Sequence, residues 1–315
     1  MLTSKVNIVM KRLTSGESGL ALVLVSLAMV VLLSMTALVV DVGAVTLHKN
    51  RLANACDAAA LAGARELPNT GAATQVANNY INLNGVSPDD TRVEILEGGK
   101  KIKVASAREV EFTFARVLGF TSTTVNADAT AVFGAISSAT GIIPLSVPEQ
   151  ELNFGHEYKL KVGAPGLVSG NFGALALEGS GADKYRTLIK EGYNGLISVG
   201  DWVTTEPGNM SGPTRDGINH RTSQCTHNCT VDNYDPSCKR VVIVPVYDPE
   251  TMGGGRNEVM VVGFAAFLLS KDAVKQGKEC TVYGYFLQTT PPPSSSFSVD
   301  PDQNDFGLRS VRLTS

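Results

Sequence analysis

Apolar positions along this chain follow two regimes. From Leu20 to Val40 no charged residue occurs, and at the α-helical rise that stretch spans about 31 Å, the hydrocarbon thickness of a bilayer. After Asp41 the helical pattern runs on through an alanine- and glycine-rich segment to Arg65-Glu66, with no proline before Pro68. Unbroken, such a helix is about 70 Å long and leaves half its length outside lipid. The pattern predicts a transmembrane and extended packing helix over 20–66. The small residues of its outer half let a neighbouring backbone approach closely, and Asp41, Gly43, Ala55, Asp57, Ala60 and Gly63 are its candidate membrane and packing positions. Alanine is also the best helix former, so a short Ala-rich helix docked on the chain's own soluble domain is an equal reading.

Past Pro68 the period shortens. Val76, Tyr80 and Leu83 give a short helix ending at Asn84-Gly85. Residues 92–104 then alternate polar and apolar around Gly98-Gly99, which predicts a β-hairpin. Phe112–Leu118 reads as a helical turn closed by Gly119, and Val125, Ala127, Ala129, Ala131 and Phe133 share one face of a strand. Together these make a small α+β module over 67–137.

From Gly141 short apolar runs recur at 142–147, 158–162, 172–177, 196–199, 241–247, 259–269 and 281–287, punctuated by Gly, Pro, Asn and Asp. They predict a mainly β domain over 138–289, a sandwich or a barrel, with one helix near 182–191. Pro291-Pro292-Pro293-Ser294-Ser295-Ser296 opens a linker and a polar, mobile tail over 290–315, the return of 308–313 as an edge strand being the weaker alternative. The fold class is therefore α+β: a transmembrane helix, a small module and a β-rich extracytoplasmic domain.

Charge sets the topology. Lys5, Lys11 and Arg12 precede the span and Asp41 follows it, which puts residues 1–19 in the cytoplasm and the rest outside, in a single pass through the inner membrane. The apolar core is longer than that of a cleaved secretory signal. With 27 basic against 30 acidic residues among 315, nothing draws the chain to nucleic acid.

Four of the five cysteines, Cys225, Cys229, Cys238 and Cys280, fall in the exported half, where one or two disulfides are expected with three connectivities open. Cys56 sits on the long helix as a small buried residue, with a cross-link to a neighbour the weaker alternative. The cysteine spacing and nearby His220 and His227 resemble zinc ligands in type, but fit no standard site, and disulfides are preferred. Residues 200–238 lack a clear period and form a candidate docking loop containing Asp201, Trp202, Glu206 and Asn209. Asp201, Glu206 and Asp216 could offer oxygens to Ca²⁺, yet turn chemistry accounts for them as well. None of the common nucleophile, zinc-protease or phosphate-loop motifs occurs, and His48, His156, His220 and His227 have no nucleophile at a recognisable spacing. Neither an enzyme nor a cofactor or metal requirement is expected.

The order of basic residues, Gly16-Glu17-Ser18-Gly19, the apolar span, Val39-Val40-Asp41-Val42-Gly43 and Leu52-Ala53-Asn54-Ala55-Cys56-Asp57-Ala58-Ala59-Ala60-Leu61-Ala62-Gly63-Ala64 resembles the TadE/TadG-like family of tight-adherence (Flp) pilus assembly proteins. Phe114-Ala115-Arg116-Val117-Leu118-Gly119-Phe120 and Asn126-Ala127-Asp128-Ala129-Thr130-Ala131 are also similar to such proteins. The resemblance implies a bacterial envelope protein, an assembly factor or minor pilin-like component without catalytic activity. Its implied partners are the lipid bilayer, apparatus proteins along the N-terminal helix and further copies of itself. Two departures stand beside it: Glu17 follows Gly16 at once, unlike a processed pilin, and no Asp-x-Ser-x-Ser pentad of a von Willebrand type A domain is present. An anchored adhesin-like module that uses 200–238 is the alternative function.

Overall fold

The computed structural model describes residues 3–161, 173–251, 258–274 and 280–314, with the side chains of 3–18 and of Lys161 outside that description. Val162 and Phe172, at the edges of two expected strands, lie outside the described residues. By contacts the chain divides into two compact units. One consists of Met1–Ala59, Ala77–Val93 and Val104–Ala129, the other of Ala60–Val76, Glu94–Lys103 and Thr130–Ser315.

One helix, α1 (Thr3–Ala64), runs without a break through the apolar span and the alanine-rich segment. No proline interrupts it, and Ser26, Ser34, Thr36 and Thr46 return their hydroxyls to carbonyls three or four residues back, which satisfies them in an apolar setting. In the first unit α1 is joined by α2 (Thr70–Leu83), from its residue Ala77 onward, and by parts of β1 (Thr91–Leu96), β2 (Lys101–Glu111) and β3 (Ser122–Ala139), neighbours in the order β1-β2-β3. Leu52, Ala55, Cys56 and Ala59 of α1, Ala77 and Ile81 of α2, Val104 and Val110 of β2, and Val125 of β3 are buried there. Small residues on the helix bring it close to the strands: Cys56 Sγ reaches the carbonyl of Ala127 at 3.5 Å.

The second unit contains the turn of the expected hairpin, with positive φ at Glu97, Gly98 and Gly99 (49°, 67° and 96°), the left-handed geometry that favours the Gly-Gly pair. The remaining elements in chain order are β4 (Val147–Pro148), β5 (Glu157–Lys161), α3 (Ala182–Glu191), β6 (Ile197–Ser198), β7 (Trp202–Thr204), α4 (Ser211–Ser223), β8 (Val241–Tyr247), β9 (Glu258–Val274), β10 (Val282–Leu287), β11 (Phe297–Asp300) and β12 (Arg309–Thr314). The central sheet has the order β4-β8-β9-β10-β5, with β7 added to β9. It stays open, so of the two expected architectures the sandwich-like one is observed. Because β8 is buried along its whole length, successive residues serve two cores: Val241, Ile243 and Tyr247 on one face, Val242, Val244 and Val246 on the other. The first core includes Ile136 and Ala139 of β3 and Ile197 of β6, and the second includes Tyr185, Ile189 and Ile218 of α3 and α4.

Two expectations are corrected by this unit. The period-free stretch after Met210 contains α4, whose Gly217 lies so close to Ile189 that a Cβ there would meet Cγ2 at 2.5 Å, so tertiary packing rather than propensity forms the helix. The tail is ordered as well: β11 and β12 both pair antiparallel with β3, with Phe297 opposite Ala139 and Arg309 opposite Ala135. Leu308 is fully buried.

Candidate functional site

The residues singled out along α1 part company in the structure. Leu20 to Val40 expose apolar side chains on every side, with no described partner for a surface of that size. Ala55, Ala60 and Gly63 are buried in the chain's own fold, as the docked-helix reading required, and Asp57 is half-buried. Gly43 remains exposed, with open space where a Cβ would stand, flanked by exposed Val42 and Leu47.

Asp41 is the hinge point between these regimes. Although charged, it is buried, and its two carboxylate oxygens accept the backbone N–H groups of Thr113 (2.8 Å), Phe114 (3.1 and 3.2 Å) and Ala115 (2.7 Å). These amides open the 3-10 turn Ala115–Leu118, whose free donors suit an anion. Burial alone would raise the Asp41 carboxyl, but the three amides outweigh it and hold the group below its ordinary range. The turn closes at Gly119 with φ 92°, and Phe114, Val117, Leu118 and Phe120 around it are exposed. Sequence periodicity located this turn but not its attachment to Asp41, which is a contact across more than seventy residues.

A second cluster lies in the second unit. All five cysteines are free thiols, which corrects the expectation of one or two disulfides among Cys225, Cys229, Cys238 and Cys280. The Sγ atoms of Cys225, Cys229 and Cys238 lie within 4.8 Å of one another, Cys229 and Cys238 buried and Cys225 half-buried, while Cys280 is buried outside that group. Arg240 pins the loop: Nε donates to the Leu269 carbonyl at 2.7 Å, and Nη1 to the Cys229 carbonyl at 3.0 Å and to Cys225 Sγ at 3.8 Å. Burial would raise the Cys225 thiol, but the Cys229 amide, the Cys238 thiol, the His227 amide and the Arg240 guanidinium draw it below its usual range. Burial pushes the Cys238 thiol up. Cys56 is likewise raised to about 11, first by burial and then by Asp57 and Asp128, and is chemically quiet. Spacing did not single out Arg240, which organises this loop through those bonds, and its position two residues after Cys238 in a cysteine-rich segment is the signal that could have found it.

The docking-loop residues take separate tasks. Asp201 accepts the Ser198 N–H at 2.8 Å in a tight turn, Asp216 pairs with Arg186 Nε at 3.2 Å, and buried Glu206 accepts the Gly181 N–H at 2.8 Å at the start of α3. Each candidate Ca²⁺ carboxylate thus has a local partner for one oxygen, while the buried Oε2 of Glu206 has no hydrogen-bond partner among the described residues. Asn209 adjoins α4. Trp202 is exposed beside a groove of about 340 Å³ lined also by Leu177, Tyr193, Leu196 and Asp201.

No curated protein and no solved structure matches the chain. The uninterrupted helix, its exposed apolar half and the stretch anchored through Asp41 coincide with the part of the chain that does find a counterpart: residues 19–66 match the family model described as "Putative Flp pilus-assembly TadE/G-like".

Proposed function

We propose that the protein is a membrane-anchored, non-catalytic assembly factor, or minor pilin-like component, of a Flp-type pilus or related secretion apparatus. One observation carries this reading: the family-matched segment is a single helix, apolar and exposed over its first half and built into a folded unit over its second. Such a helix fixes a folded domain to the bilayer without a flexible joint, which suits assembly better than tethering does. The basic residues Lys5, Lys11 and Arg12 support an N-terminus on the cytoplasmic side of the inner membrane and folded units outside. Exposed Val42, Gly43 and Leu47, beyond the span, supply a face for apparatus helices or for another copy. In cells, Gly43→Leu combined with Leu47→Ser should leave the protein folded and in the membrane fraction while pilus number falls. Normal pili in a strain lacking the gene would overturn the assembly role.

Exposed Trp202 and its groove favour one second reading, an anchored surface-binding module. In that case Trp202→Ala lowers adhesion while pili still assemble, and the opposite pattern returns the protein to assembly.

A further inference from the structure

The loop between α4 and β8 gathers three sulfurs where a disulfide needs two. Beyond the proximity of Cys225, Cys229 and Cys238, the backbone is arranged around the sulfur atoms. Cys225 Sγ accepts the amides of His227 and Cys229, two and four residues onward, and Cys238 Sγ accepts the amide of Arg240, again two residues onward. Asn228, between the two amides that serve Cys225, has φ 48°, a left-handed step that curls the segment back on the sulfur. N–H donors aimed at sulfur, with a guanidinium Nη1 at 3.8 Å, stabilise thiolate charge and do little for a neutral disulfide. Residues 224–240 form no helix or strand of their own, so buried Cys229 and Cys238 anchor a loop that needs a cross-link.

We propose that Cys225, Cys229 and Cys238 form a three-thiolate site for a thiophilic divalent cation of the Zn²⁺ class, with an exogenous ligand completing the tetrahedron. Three thiolates around a dication leave one net negative charge, which Arg240 balances. Binding releases the protons still held by these thiols to solvent, so affinity falls as the medium is acidified. The ion fastens the loop to the β8–β9 hairpin through Arg240 and Leu269 and plays no part in a reaction.

The test uses the full chain in detergent, reduced with a phosphine and titrated with Co²⁺ alone. Sulfur-to-cobalt charge-transfer absorption with the strong visible bands of a tetrahedral ion is expected, bleached by stoichiometric Zn²⁺. Cys225→Ser, Cys229→Ser and Cys238→Ser each abolish it, while Cys56→Ser and Cys280→Ser retain it. Should the loop variants misfold, the unaltered chain still decides: Zn²⁺ must protect these three thiols, mapped by mass spectrometry, from maleimide. Absence of the charge-transfer band, its survival in all three variants, no protection, or a disulfide joining two of the three in protein isolated without reductant would each overturn the site.

A different observation carries a second inference, which rests on the membrane-anchored reading. Phe114, Val117, Leu118 and Phe120 are 46%, 89%, 78% and 64% exposed on one short turn, yet the turn is fastened to Asp41, the residue that ends the apolar span. From there β3 runs along α1 to Ala127 beside Cys56, about 22 Å further from the lipid. Apart from the span itself, the turn is thus the part of the first unit nearest the bilayer. We infer that it inserts its apolar side chains at the headgroup boundary of the leaflet that Asp41 faces, continuing the lipid contact of the span.

Full-length Trp202→Phe, Leu118→Trp protein in phosphatidylcholine vesicles containing brominated lipid should show blue-shifted emission that the bromines quench. Unquenched, red-shifted emission from protein that cofloats with the vesicles would sink this inference alone. Protein that fails to cofloat would sink the anchored reading beneath it.

Discussion

The two halves of α1 are one secondary structure with opposite fates. Leu27, in the first half, is 59% exposed, whereas Leu52, in the second, is 1% exposed. Bulky aliphatic residues on every side of the first half find no cover among the described residues, a surface that suits an apolar solvent. Alanines at 55, 59, 60 and 64, all fully buried, bring the second half near enough to its own fold that little side chain is needed to fill the gap. Mean hydropathy also drops at the junction, because Asp41, Lys49, Arg51 and Asp57 interrupt the second half and no charge interrupts Leu20 to Val40. Charge and side-chain size together separate the exposed half from the half packed on protein.

Truncation should break the comparison most sharply. Leu52→Ala leaves a cavity in a packed unit and is expected to cost about 2–5 kcal/mol, seen as a lower urea midpoint of the detergent-solubilised protein. Leu27→Ala removes more exposed apolar surface but should change that midpoint by less than about 0.5 kcal/mol. Equal losses at both positions would mean that the first half is also packed against protein.

How far these halves could be read from sequence follows from the range of the interactions. The span, the hairpin at Gly98-Gly99 and the doubly buried β8 rest on composition and local period, and they are present in the structure. Helix α4 was hidden because Gly212, Pro213, Gly217 and Asn219 oppose a helical prediction, and only the contact of Gly217 with Ile189 explains its form. Strand β11 was hidden behind three prolines and β12 was legible only as the weaker alternative over 308–313, since their pairing with β3 is nonlocal. The cysteine group was visible as a spacing, but which three converge depends on Arg240 reaching Leu269. Asp41 was legible as the end of the span, while its partners at 113–115 were not.

Enlarging side chains should sharpen the same contrast with a smaller effect. Ala59→Leu forces additional carbons into a filled space and is expected to destabilise by about 1–3 kcal/mol. Gly43→Leu meets nothing within 4 Å and improves helix propensity, so it should be neutral or stabilising by up to about 1 kcal/mol. Thermal melts of both variants in one detergent check the pair. A destabilised Gly43→Leu would reveal a partner surface within the chain.

The smallest effect belongs to the junction itself. The Asp41 carboxyl lies below its ordinary range in the folded protein because the amides of Thr113, Phe114 and Ala115 favour the charged form despite burial. Its contribution is therefore complete above the unfolded carboxylate value of about 3.9 and is lost only as pH falls through the lower folded value. Protection of those three amides against hydrogen exchange, expressed relative to intrinsic rates, should stay level from neutral pH down to that value and weaken below it. Asp41→Asn removes the ionisation, so its protection should be lower at neutral pH and insensitive to the same acid range. Loss of protection already at mildly acidic pH in the unaltered protein would mean that burial, not the amides, governs the carboxyl, and that the junction between lipid-facing and protein-facing helix is held by something other than this carboxylate.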